Sequence, residues 1–128
     1  PIADILQEVA DGFKWSIEKA ESFGVKKESI ALDIGIGFSK AFPQNLELLA
    51  NLDKLIGEFA NFPLLVGTSR KSFIGKILDE PDAKNRLAGS LTSIAIAVWN
   101  GAKIVRAHDV KETVEAIKVA EAIKEWRE

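Results

Sequence analysis

Short, continuously apolar runs alternate with helical repeats along this chain, and that alternation constrains the fold more than any other feature. Ile30-Ala31-Leu32, Leu64-Leu65-Val66 and Ile104-Val105 are apolar throughout rather than at every second residue. Such runs belong to strands covered on both faces, as in parallel sheets. Residues 2–23 place Ile2, Ile5, Leu6, Val9, Phe13, Ile17 and Ala20 at three- and four-residue steps, one helical face, with Gly24 as the stop. Pro43 opens a second helix carried by Leu46, Leu49, Leu52, Ile56 and Phe59. Ser72 is placed as the cap of a short helix through Leu78, which Pro81 breaks. A further helix runs from about Asn85 to Asn100, ended by Gly101, and Val110, Val114, Ile117 and Ile123 mark a last one. The expected order is α-β-α-β-α-β-α with three parallel strands.

Three strands cannot close a barrel, whereas eight with eight outer helices can. An open flavodoxin-like sheet fits the same order, so topology alone leaves both architectures standing. At 128 residues the chain is one domain or less. It begins at Pro1, contains no methionine and opens inside a helical pattern; the expectation is a portion of a larger domain whose N-terminal half is absent. The helix at 87–99 is apolar on nearly all sides, which predicts a second surface to bury against a subunit or a missing part. The final helix, with Lys111, Glu112, Glu115, Lys118, Glu121 and Lys124, reads as a solvated charged face.

A net charge of −2 gives no general attraction to nucleic acid or membrane. There is no run of 18 apolar residues and no signal peptide, so a cytoplasmic protein is expected. The absence of cysteine excludes disulfides and thiolate metal sites.

The chemistry concentrates just past each strand. In a parallel α/β protein these ends share one face, so Asp33-Ile34-Gly35-Ile36-Gly37-Phe38, Gly67-Thr68-Ser69-Arg70-Lys71-Ser72 and Arg106-Ala107-His108-Asp109 should converge. Asp33 can accept paired N–H donors from a guanidine-like ring edge, and it can equally cap a neighbouring amide. Gly35 and Gly37 permit tight turns and close ligand approach. They form no dinucleotide fingerprint, since Lys40 stands in place of the third glycine. Lys71 lacks the preceding glycine of a phosphate loop, yet it can lean into a site as a cation. Amides at the helix start after Ser72 would welcome a carboxylate; a solvated turn is the plainer alternative. Arg106 and His108 alternate by two, which puts them on one face and suits phosphate or pyrophosphate.

At these residues the chain resembles dihydropteroate synthase, a (β/α)8 barrel family of folate biosynthesis. The likeness runs from about residue 2 to 126, the C-terminal part of the family. Leu32-Asp33-Ile34-Gly35-Ile36-Gly37-Phe38-Ser39-Lys40 is similar to its DPGIGFGK segment, and Asn45-Leu46-Glu47-Leu48-Leu49 to its NLELL. Val66 through Gly75 and Ile104 through Thr113 resemble its last two strand ends. The resemblance implies condensation of a dihydropterin-methyl pyrophosphate with p-aminobenzoate. Asp33 would then pair with the pterin, Phe38 and Gly67 would shape its pocket, and Lys71 would bind the ring. Ser72, with Arg70 beside it, would receive the p-aminobenzoate carboxylate. Arg106 and His108 would hold the pyrophosphate, with Arg106 also covering the pterin. Lys71, Arg106 and His108 are thus the implied catalytic residues.

The resemblance further implies Mg²⁺ with its protein ligand in the N-terminal half and none in this chain, a homodimer through the C-terminal helices, and a sulfonamide target. Ile34 stands for the family's usual proline, which predicts a looser first turn. Ser39 stands for a usual glycine, which questions a tight local backbone. Because the N-terminal half carries further site residues, the chain alone is expected to be inactive. The rival readings are a pterin-dependent methyltetrahydrofolate methyltransferase, and a non-catalytic barrel fragment acting in assembly.

Overall fold

The computed structural model describes residues 4–128; Ile2, assigned to the first helix by its spacing, lies outside them. Helix α1 spans Ile5–Ser22, and the Asp4 carboxylate caps it by accepting the Gln7 N–H at 3.1 Å. Its apolar face buries Ile5, Ala10 and Phe13, and the Phe13 ring meets Phe59 edge-on at 5.2 Å. Gly24, at φ +87°, ends the helix as its position predicts.

The sheet has three parallel strands, β1 (Leu32–Asp33), β2 (Leu64–Val66) and β3 (Ile104–Val105), side by side in chain order. Leu32 pairs with Leu64 and Asp33 with Leu65; Leu65 then pairs with Ile104 and Val66 with Val105. The first strand starts two residues later than the apolar run, because a 3₁₀ turn at Lys27–Ser29 precedes it. Asp33 is consequently the last strand residue rather than the one after it.

The helix expected from Pro43 to Phe59 is two helices, α2 (Phe42–Ala50) and α3 (Leu52–Glu58). Asn51 separates them: its side-chain amide donates to the Glu47 carbonyl at 2.9 Å and competes with the helical ladder. The break costs no burial, since Leu48, Leu52 and Leu55 all sit in the core beside Leu32, Ile34, Ile36, Leu64 and Val66. Each such side chain contributes roughly 1.5–3 kcal/mol on burial.

Helix α4 (Ser72–Leu78) follows β2, α5 (Leu87–Trp99) precedes β3, and α6 (Val110–Lys124) closes the described fold. Ser72 does not cap α4. The half-in position belongs to Lys71, with extended backbone and no side-chain cap, and Ser72 is the first helical residue. Helix α6 lies along α5. It carries more than a solvated charged face: Val114, Val119 and Ile123 are exposed together with Ile96 of α5, and Val119, Ile123 and Ile96 line a mostly apolar groove between the two helices. The apolar surround of 87–99 therefore divides as expected, with Ile94, Ala97 and Val98 buried and Leu87 and Ile96 left outward.

Candidate functional site

All three strand-end turns meet at the carboxyl edge of the sheet. Asp33 Oδ1 accepts the Gly35 N–H at 2.8 Å, so the capping role foreseen for it is present. Its Oδ2 accepts from the Arg106 guanidinium at 3.3 Å, which joins the first turn to the third. The arginine side chain remains 64% exposed, so this ion pair is largely open to solvent. Lys71 of the second turn donates its ammonium to the Ile36 carbonyl of the first and lies 4.9 Å from the Phe38 ring centroid.

Between these groups lies Gly67. A side chain there would touch Lys71 Nζ and Arg106 Cβ at 3.7 Å each. The bare glycine thus leaves open the floor between the two cations. Burial lowers the pKa of Lys71; the Asp33 carboxylate opposes this, while Arg106 and Lys40 reinforce it.

The first turn is tight despite its two departures from the resembled segment. Ile34 is 1% exposed and its N–H reaches the Leu65 carbonyl at 3.4 Å, a bond a proline could not donate. The looser turn expected from this residue is not found. Ser39 does adopt the left-handed conformation that suits glycine, φ +53°. Asn45, buried on α2, accepts the Gly37 N–H at 2.8 Å, and Lys40 donates to the carbonyls of Gly35 and Phe38. Burial also lowers the Lys40 pKa, against the pull of Glu8 and Asp33.

The second turn is built from behind. Arg70, at φ +58°, pairs through two nitrogens with the Asp109 carboxylate at 3.0 and 3.4 Å. Its N–H donates to Ser90 Oγ, and its carbonyl accepts from Arg86. Arg86 also donates to the carbonyls of Glu80 and Pro81, lying flat against Gly75. Thr68 and Ser93 share a hydroxyl hydrogen bond of 2.7 Å. His108 reaches Ser69 Oγ at 2.9 Å. Since β3 ends at Val105, Arg106 and His108 lie beyond the strand and take separate partners instead of sharing a strand face. Ser72 stands exposed on the first turn of α4, beside a cleft shared with Gly37, Lys40, Asn45 and Lys76.

Among the described residues, no three His, Cys, Asp or Glu side chains gather to hold a metal, and Asp33 and Asp109 are each tied to an arginine. These residues by themselves do not fit a Mg²⁺ site.

The family model for pterin binding enzymes matches residues 2–108. The chain belongs to the pterin-binding enzyme family. Dihydropteroate synthase of Synechocystis sp. is 47% identical over 124 residues, covering 97% of this chain and 42% of that protein. The Escherichia coli K12 dihydropteroate synthase is 47% identical over 119 residues, 93% of this chain and 41% of that protein. Among solved structures, a Yersinia pestis dihydropteroate synthase with a sulfonamide drug matches at TM-score 0.92 and 40% identity, covering 98% of this chain and 44% of that one. The Xanthomonas albilineans enzyme in complex with 7,8-dihydropteroate matches at TM-score 0.92 and 35% identity, over 97% and 47% of the two chains. This pterin-binding enzyme chain therefore spans less than half the length of these relatives. The expected α/β class, as the C-terminal part of a (β/α)8 barrel, is borne out.

The structure brings Asp33, Phe38, Gly67, Lys71 and Arg106 together as the sequence predicts, and adds supporting residues behind the turns. Arg86, Ser90 and Ser93 act across sequence separations where neither periodicity nor a motif marks them. Ser69 and Asp109 stand inside the strand-end segments, and Asn45 opens the Asn-Leu-Glu-Leu-Leu segment, but nothing in those segments tells their supporting partners.

Proposed function

We propose that this chain forms part of the active site of a dihydropteroate synthase, joining a dihydropterin-methyl pyrophosphate to p-aminobenzoate with release of pyrophosphate. The observation that carries the reading is the convergence of Asp33, Lys71 and Arg106 around the open face of Gly67. The named relatives favour it over the methyltransferase and assembly readings. Residues 1–128 then supply the last three strand ends of one barrel, and the remaining site residues come from the segment that precedes them in the relatives.

In this reading Asp33 accepts the paired N–H donors of the pterin edge, exchanging its contact with Arg106 for the ligand. Lys71 binds the ring as a cation next to Phe38. Burial has removed part of its hydration, so a hydrogen bond to the ligand replaces less water. Arg106, released from Asp33, covers the pterin and with His108 meets the pyrophosphate. Negative charge grows on that leaving group as the carbon–oxygen bond breaks, so both residues bind the transition state more strongly than the ground state. The arylamine then attacks the cationic carbon, and no protein atom becomes covalently attached.

Ser72 takes the p-aminobenzoate carboxylate. Arg70, held by Asp109, fixes the turn that presents it. A sulfonamide, as a p-aminobenzoate mimic, would occupy the same position. Mg²⁺, if bound, would offset the charge of the pyrophosphate, with its protein ligand expected in the segment that precedes these residues in the relatives. A homodimer through α5 and α6 and a cytoplasmic location go with the same reading. No helix among the described residues is long and apolar enough to cross a membrane.

The test is dihydropteroate formation by this chain alone and joined to the N-terminal segment of the Synechocystis relative. The joined protein is expected to turn over and the isolated chain not to, and Lys71→Ala should abolish turnover while the protein stays folded. A folded joined protein that makes no dihydropteroate would contradict the activity. Turnover by the isolated chain would contradict the need for the preceding segment.

A further inference from the structure

We propose that Ser69 is a positioning residue that fixes the tautomer of His108, so that the imidazole offers Nε2–H rather than a lone pair to an anionic group bound beside Arg106. Ser69 is buried, 6% exposed, and its hydroxyl makes two contacts with one residue. Oγ accepts the His108 backbone N–H at 3.2 Å and lies 2.9 Å from His108 Nδ1.

A serine hydroxyl has one proton to donate and two lone pairs. The backbone N–H claims one lone pair. If Nδ1 also carried a proton, Oγ would accept twice and its own proton would be left buried beside two donors. An unmade buried hydrogen bond is costly. If the hydroxyl instead donates to Nδ1, each group is satisfied and the neutral ring carries its proton on Nε2.

The consequence lies on the other side of the ring. His108 is exposed and its Nδ1 is engaged by Ser69, so Nε2 is the ring nitrogen left to meet a ligand, two residues along the chain from Arg106. Pyrophosphate oxygens only accept hydrogen bonds, and a lone pair at Nε2 would repel them, whereas Nε2–H complements Arg106. The fixed backbone of the Arg70 turn, tied to Asp109, keeps Ser69 in register with the histidine. The identity of the anion rests on the synthase reading; the tautomer does not.

His108 is the single histidine of the chain, so every imidazole signal in a long-range ¹H–¹⁵N correlation spectrum belongs to it. In mildly alkaline buffer the wild-type chain should show an unprotonated, hydrogen-bonded Nδ1 and a protonated Nε2, with a preference of about tenfold or more. Ser69→Ala should relax this to a mixture, and Ser69→Thr, which keeps the hydroxyl, should restore it. A protonated Nδ1 in the wild-type chain overturns the proposal whether or not Ser69→Ala folds. So does an unchanged tautomer in folded Ser69→Ala. Inorganic pyrophosphate is then titrated in: the Nε2–H signal should shift, with affinity several-fold weaker in Ser69→Ala. A ring insensitive to pyrophosphate overturns the anion-facing role, and counts against the synthase reading, even where the tautomer is as described.

Discussion

Ser39 sits at φ +53° with a full side chain, a conformation that costs a residue with a Cβ about 1 kcal/mol or more relative to glycine. The contacts that hold the turn come from Asp33, Asn45 and Lys40 and make no use of the Ser39 hydroxyl. Ser39→Gly should therefore stabilise the protein by about 0.5–1 kcal/mol, after the greater freedom glycine gives the unfolded chain. Urea denaturation reads this directly, and an unchanged or lower midpoint in the glycine variant would show that the turn carries no such strain. Ile34 makes the contrasting case. It also departs from the resembled segment, yet its buried side chain and its N–H to Leu65 hold the same turn from within. One departure leaves strain and the other is absorbed by the sheet.

Helix α5 shows what an element can hide from its sequence. Its apolar surround is legible, and it announces two covered faces. The use of its small polar residues is not legible, because Ser90 and Ser93 serve Arg70 and Thr68 through contacts formed only after the chain has packed. Gly89 is similar: a Cβ there would lie 2.4 Å from Ile74 Cγ2, so glycine lets α5 approach α4. The outward face, with Leu91, Ile96 and Trp99 beside Val119 and Ile123 of α6, lines a groove of about 710 Å³. An apolar surface of this kind on a globular domain marks an interaction site. Sedimentation equilibrium is predicted to find a dimer that Ile96→Glu converts to monomer with its fold intact. A wild-type monomer, or a dimer indifferent to Ile96→Glu, would place the contact elsewhere or nowhere.

Across the whole molecule, the strand ends are readable because a continuous apolar run that stops at glycine or charged residues fits a strand covered on both faces and little else. Their convergence follows from parallel topology alone. The break at Asn51, the late start of β1 and the place of Lys71 at the start of α4 are not readable, since each turns on one or two hydrogen bonds that periodicity does not register. The same applies to the supports of the second turn. The central claim is that three turns, distant in sequence, form one face of a pterin site around Gly67. Backbone ¹H–¹⁵N spectra recorded while a dihydropterin-methyl pyrophosphate is added test it most directly. The prediction is that signals of 33–40, 67–72 and 106–109 shift together. In folded Gly67→Ala, whose methyl fills the floor between Lys71 and Arg106, they should not. Shifts confined to one turn, shifts elsewhere on a folded chain, or an undiminished response in Gly67→Ala would contradict it.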